Sequence, residues 1–482
     1  MRLKKRMLSN ILLLGLIVIA LVSCDDFLST SPKTTINSDV VFDTPARILG
    51  QVNGMYKALK NADFYGEKEL LLMDVRAEEF INVTANPITG YISWRNATTS
   101  GDIDVNNLWS AAYTTINNTN ILIDGLTKTV GIISDSVKNN YIAEARFVRA
   151  LSYFSLLTIY ARPYSENQGK SKAIPLRLQA ETSLANNNLA CSTVADIYNQ
   201  ILADLDYAEV NLPLIYSTDL LNTTRAHRNT AIALKTRVFL NMCDYANLIA
   251  EAHKIVPQNN NPFISTTGVK HQLQDILTIF SSNYTTTESI FSLPMTAADS
   301  YSGQQAIGWV YNTNSEYYLN SSGILGDSQW GSQDVRRQFL RSSLGKYYLN
   351  KYAKTTLYTD FIPVIRYAEI LLNYAEAAAQ LGNLNLAQEL LKAVHGRSDK
   401  NYVFANSDIA TKEALVNTIQ KERRIELLGE GFRSNDLLRT LQTIPAKGSS
   451  SMQVGAVSPS SQNYIYPFPN NEINTNNLLL KQ

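Results

Sequence analysis

Three tryptophans lie in stretches rich in Asn, Tyr, Ser and Gly. Trp94 sits in Tyr91-Ile92-Ser93-Trp94-Arg95-Asn96, Trp309 in Gly308-Trp309-Val310-Tyr311-Asn312, and Trp330 in Gln329-Trp330-Gly331. A sugar presents an apolar CH face ringed by hydroxyls, so an aromatic plate flanked by Asn, Asp or Arg suits saccharide capture. The alternative role for each indole is to pack its loop against a scaffold. Tyr311 joins the candidates on composition. Asp74 and Arg76, in Met73-Asp74-Val75-Arg76, could hydrogen-bond a ligand, with a salt bridge to the scaffold as their first expected role.

Other chemistry-bearing patterns point away from catalysis. Glu422, Glu426 and Glu430 recur at i, i+4 on one helical face, with Arg423 three residues before Glu426. Paired carboxylates can serve acid/base chemistry, but this spacing reads as an ion network locking the last helical hairpin. Gly101-Asp102-Ile103-Asp104 opens like a calcium loop, yet Asn107 stands where Gly is required and Tyr113 where the bidentate Glu belongs. His227, His253, His271 and His395 show no zinc-ligand spacing. Walker A, dinucleotide-binding and GxSxG patterns are absent from the sequence. No enzyme, metal or cofactor is expected.

The chain of 482 residues has room for about three domains or one large composite fold. Apolar residues make up 45% and charged residues 18%, a globular composition. Lys plus Arg total 43 against 42 Asp plus Glu, so no basic field invites nucleic acid. The 26 tyrosines and many asparagines supply stacking and hydrogen bonding without charge.

The start sets the compartment. Arg2, Lys4, Lys5 and Arg6 precede the aliphatic run Ile11–Ala20, which closes on Leu21-Val22-Ser23-Cys24. That is a signal-peptide pattern, too short for a spanning helix of about 20 residues. Its end resembles a bacterial lipobox, making Cys24 the lipidated first residue of the mature chain. Asp25-Asp26 resemble the signal that sends Bacteroidetes-type lipoproteins to the outer face of the outer membrane. Loss of Met1–Ser23 leaves a net charge of about −3. Cys191 and Cys243, 52 positions apart, could pair in an oxidising compartment, but Cys243 sits in an apolar helical run, which favours a buried free thiol.

Helical periodicity dominates roughly residues 105–161, 193–255 and 365–441. Small residues and aromatics alternate through Tyr367-Ala368, Tyr374-Ala375, Ala378 and Leu381-Gly382, as in degenerate tetratricopeptide hairpins whose faces must stack on neighbours. The intervening polar segments, roughly 62–104 and 257–358, are the natural place for a binding site, with a short strand expected near Ser289–Leu293.

An ordered set of segments resembles the SusD/RagB family of outer-membrane lipoproteins across nearly the whole chain. It comprises Leu108-Trp109 with Ala112-Tyr113, Ile116 and Asn120; Glu144-Ala145-Arg146-Phe147-Val148-Arg149-Ala150 with Tyr153-Phe154; and Ile174-Pro175-Leu176. It continues with Arg366-Tyr367-Ala368-Glu369, Asn373-Tyr374-Ala375-Glu376-Ala377, Glu422-Arg423-Arg424-Ile425-Glu426-Leu427 and Gly429-Glu430-Gly431-Phe432-Arg433, and ends on Tyr466-Pro467-Phe468-Pro469. Two segments depart from the pattern: Ala161-Arg162-Pro163 stands where a Tyr-Gly pair is usual, and Val394-His395-Gly396-Arg397 where Asn-x-Val-Arg is.

The resemblance implies a mainly α, SusD-like fold: residues 1–23 as leader, and 24–482 as one domain with an irregular ligand-binding part laid on the helical scaffold. It implies a surface-exposed, nutrient-binding lipoprotein without catalysis. Such a protein captures a glycan or oligosaccharide, or alternatively a peptide, and passes it to a TonB-dependent outer-membrane transporter; the alternatives of another class are a secreted hydrolase and a tetratricopeptide adaptor. By resemblance to starch-binding relatives, Trp94, Asn96 and Trp309 carry over as ligand contacts, while Trp109 belongs to the core.

Overall fold

The helical blocks fold as antiparallel neighbours that pack in chain order. The computed structural model describes residues 40–281 and 284–479, so Cys24 and the leader lie outside the described residues. The chain divides into residues 1–51 and 52–482. In the first unit a turn at 40–43 is tied by Arg47 Nη1 to the Val40 carbonyl at 3.1 Å, ahead of α1 (Pro45–Leu59). The second holds α2 (Lys68–Val75), α3 (Ile103–Lys128), α4 (Asp135–Tyr160), α5 (Val194–Asn211), α6 (Arg228–Met242), α7 (Tyr245–Ile255), α8 (Tyr367–Gln380), α9 (Leu384–Ser398), α10 (Lys412–Glu426) and α11 (Arg433–Arg439). The fold is mainly α, as the periodicity predicts.

Local sequence sets the ends of these helices. Thr193 and Asp196 form a reciprocal capping box at the start of α5, each side chain accepting the other's N–H at 3.1 Å. Between α8 and α9, the N–H of Asn383 returns to the Ala378 carbonyl and that of Gly382 to Ala379, a Schellman turn that needs Gly382 at φ 85°. Successive helices from α3 to α8 pack on one another, and α8 meets both α9 and α10. Ala145, Val148 and Leu151 of α4 and Ile370, Leu371 and Ala375 of α8 have no exposed surface. Trp109 is core, as expected, edge-on to Tyr160 at 5.0 Å.

The strands are short. β1 (Phe80–Asn82), β5 (Tyr317–Leu319), β7 (Lys346–Leu349) and β6 (Leu340–Ser343) form an antiparallel sheet in that order. β2 (Lys172–Pro175) pairs with β3 (Cys191–Thr193), and β4 (Ser289–Leu293) with β8 (Ile362–Arg366), which runs directly into α8. The β6–β7 hairpin turns on Leu344 and Gly345, both at positive φ, with Leu344 99% exposed.

Charged side chains hold the interior where α10 ends. Arg366 reaches Glu430 at 2.8 Å, Glu288 at 2.7 Å and Glu426 at 2.9 Å. Arg336 bridges Asp334 (2.6 Å), Glu422 (2.5 Å) and Glu426 (3.0 Å), while Lys351 holds Glu430 at 2.8 Å. The three glutamates therefore form a buried ion network, as their spacing suggests. Burial pushes Glu422 up, but Arg336 and His395 outweigh it and hold its carboxyl at about 2. Arg423 differs from expectation and pairs with Asp436 at 3.0 Å. The divergent segment at 394–397 joins the network: His395 Nδ1 lies 2.7 Å from Glu422, and Arg397 pairs with Glu288 at 2.8 Å. Cys191 and Cys243 are free, but Cys243 is half-buried at φ 56° just past α6, not inside a helix.

Candidate ligand-binding face

The two polar loop regions meet through β1 and β5. Phe80 faces Leu319, Ile81 faces Tyr318 and Asn82 faces Tyr317. Beside this pairing the buried carboxylate of Glu316 accepts from Thr84 Oγ1 (3.0 Å), Asn86 Nδ2 (3.2 Å), Asn314 Nδ2 (2.7 Å) and Thr89 Oγ1. One acid thus pins the 83–90 loop to the 314–316 turn. Asp299 takes Lys57, near the end of α1, and Lys60, just past it, fixing the segment that leads to Trp309.

Trp309 begins a short π-helical turn, Trp309–Thr313, and is half-buried. Gly308 precedes it, where a Cβ would stand 3.3 Å from the Tyr352 carbonyl oxygen and 3.5 Å from the Tyr358 ring. The tight approach is to the Tyr352 backbone, while the Tyr358 ring lies at ordinary contact distance from Gly308, beside Trp309. Tyr358 is also half-buried and donates its hydroxyl to Thr313 Oγ1 at 3.3 Å. Exposed Thr313 and Asn314 border the pair, and Tyr347 of the neighbouring β7 is 45% exposed. Two half-buried aromatic residues thus stand among hydroxyl and amide groups, with the Arg341 guanidinium held on the Asn312 carbonyl at 3.1 Å, a composition suited to a sugar's CH face.

The other sequence candidates lie inside. Trp94 has no exposed surface, and its Nε1–H donates to the Phe80 carbonyl at 2.8 Å while Tyr91 stacks on it at 6.1 Å. Asn96, 4% exposed at φ 52°, donates to the Arg76 carbonyl at 3.2 Å. Tyr311 is fully buried 5.1 Å from Phe80, and Trp330 is 2% exposed with Arg337 4.9 Å over its ring. These four pack the loops, because each sits at a crossing where irregular backbone needs a large apolar or hydrogen-bonding filler.

Asp74 and Arg76 are corrected in both expected roles, for neither reaches the surface and neither forms an ion pair among the described residues. Asp74 accepts the Gly431 N–H at 3.1 Å, and burial raises its carboxyl well above the usual range. Arg76 donates to the carbonyls of Asn463 (3.0 Å) and Tyr464 (2.9 Å) beneath the Tyr466 ring, and burial lowers its pKa. Tyr358, Gly308 and Glu316 escape the sequence reading. Their signal was a lone acid and a Gly-Trp step within uncharged polar loops.

Glu67, just before α2, has no exposed surface and neither carboxylate oxygen has a hydrogen-bond partner. Burial raises it to about 8, against the pull of Lys68 and with a push from Asp104. Among the described residues no cluster of His, Cys, Asp and Glu could hold a metal ion, and no helix is long and apolar enough to cross a membrane.

Comparison with known proteins agrees with this architecture. Residues 274–482 match the model of the SusD family, and residues 26–240 match one described as "Starch-binding associating with outer membrane". A SusD-like protein of Formosa agariphila is 24% identical over 96% of this chain and 97% of its own. The crystal structure of a SusD superfamily protein from Bacteroides fragilis superposes with a TM-score of 0.81 at 30% identity, over 92% of this chain and 100% of that one. A laminarin-binding SusD-like protein superposes at 0.70 with 20% identity, over 91% and 98% of the two chains.

Proposed function

The chain belongs to the SusD family, and on that premise we propose that it is a non-catalytic, surface-exposed lipoprotein. It captures a glycan or oligosaccharide on the Trp309–Tyr358 face and delivers it to a TonB-dependent outer-membrane transporter. Lipid on Cys24 tethers it to the outer membrane. The observation that carries the reading is the pairing of two partly exposed aromatic residues, Trp309 and Tyr358, next to Gly308 in the 257–358 region and bordered by the exposed Thr313 and Asn314. The laminarin-binding neighbour supports a saccharide as the ligand class.

Calorimetric titration of the mature chain against laminarin, starch, xylan and a mixed peptide digest tests this. Saccharide binding that weakens about tenfold or more in Trp309→Ala and in Tyr358→Ala is expected, the loss of a central aromatic anchor. Binding of peptides alone, or saccharide binding indifferent to both substitutions, defeats it.

A further inference from the structure

A cleft of about 480 Å³ opens between the end of α4 and the C-terminal segment 459–468. Its floor is Tyr160 and Tyr466, packed edge to face at 5.8 Å and both nearly inaccessible. Phe468, half-buried and held edge-on by Trp109 at 5.7 Å, forms an apolar wall. Arg162 and Glu166 stand on the opposite rim as a two-point ion pair, Nε donating to the carboxylate at 2.9 and 3.1 Å, with the exposed Gln462 nearby. The volume falls in the range of small-molecule sites, roughly 300–1,000 Å³.

We propose that this cleft is a second ligand site of the protein, taking one end or branch of a neutral saccharide. Three features select that chemistry. The Arg162–Glu166 pair cancels its own charge, so an anion meets a carboxylate and a cation meets a guanidinium. The pair still offers outward donors and acceptors, which suits vicinal hydroxyls. The wall opposite is aromatic, which suits a CH face.

A peptide would need a row of free backbone groups, and the segment does not supply one. Pro459 and Pro467 lack an N–H, and those of Ser461, Tyr464 and Tyr466 are donated to Ser458, Ser461 and Ile159. Recognition here must run through side chains. The tripeptide Ala161-Arg162-Pro163, which departs from the family pattern, supplies the arginine of this rim.

Only the choice of probe rests on the proposed function. Laminarihexaose and maltohexaose are titrated, at up to millimolar concentration, into the mature wild-type chain and into Trp309→Ala, the double variant Arg162→Gln/Glu166→Gln, and Phe468→Ala. Because Phe468 also packs on Trp109, the double variant, a partly exposed pair whose Arg162 lies 5.2 Å over the Tyr464 ring, controls for folding, its melting temperature being checked against wild type. The expected result is binding that persists in Trp309→Ala and weakens about fivefold or more when either cleft substitution is added. Binding insensitive to Trp309→Ala but lost in the cleft variants supports the cleft and removes the Trp309 face. Binding abolished by Trp309→Ala alone overturns the cleft and leaves the proposed function standing. Silence of both hexasaccharides toward wild type overturns both.

Discussion

Glu67 offers the sharpest test of the interior. Its carboxyl, held at about 8 by burial rather than the ordinary 4.5, keeps its proton in the folded state while the unfolded chain releases it. Stability from this group is therefore complete below pH 4.5 and is lost progressively as pH rises to about 8. The interval between the two values corresponds to about 5 kcal/mol of folding free energy. For a chain of this length, a change of 1 kcal/mol moves the melting temperature by roughly 1 °C.

Glu67→Gln keeps the shape and has no proton to release. Differential scanning calorimetry from pH 5 to pH 9 should show wild type falling by about 4 °C relative to the variant, since part of the loss is already complete at pH 5. Glu69, raised to about 7, titrates in the same range in both proteins, so the difference between the curves reports Glu67 together with its coupling to Asp104. Parallel melting curves across this range would refute the argument that an unpartnered, dehydrated carboxylate sits at that position.

Three further outcomes are expected. Arg366→Ala leaves Glu288, Glu426 and Glu430 without a shared cation and should cost on the order of 3–5 kcal/mol in urea unfolding, with Arg366→Lys restoring only part because an ammonium cannot fork between carboxylates. Trp94→Ala should destabilise by about 3–5 kcal/mol, and any folded fraction should retain its saccharide affinity, since the indole is enclosed. Leu344→Asn should raise thermal stability by the equivalent of about 1 kcal/mol, because a two-residue hairpin turn with both residues at positive φ favours Asn-Gly and the leucine side chain is 99% exposed.

The scaffold was legible because its signals are local. Ala145, Val148 and Leu151 repeat at helical spacing and are buried at that spacing, and the strand expected at Ser289–Leu293 forms there. The glutamate series was legible as a network because three like charges on one face require cations, although the cations come from distant positions. The ligand face was less legible. Trp94 and Trp309 stand in similar polar company, and what separates them is whether a carbonyl such as that of Phe80 arrives to take the indole N–H. That depends on the β1–β5 crossing, which no local pattern announces. Tyr358 was missed for the same reason: it comes to lie against Gly308 beside Trp309 from 50 positions further along the chain.

The charged lock around Arg366 changes what the irregular loops are. Lys351 belongs to it, and the adjacent Tyr352 donates its hydroxyl to the Gly429 carbonyl at 2.8 Å while its own carbonyl accepts from Asn312 at 3.4 Å. The stretch carrying Trp309 is thus moored to the ion cluster through a single intervening residue. Opening that stretch locally would drag dehydrated carboxylates from their counterions, so its amides should exchange with solvent on the schedule of global unfolding. That stretch is, in this sense, as slow to breathe as the helices beneath it, and the proposed face holds one shape before any ligand arrives.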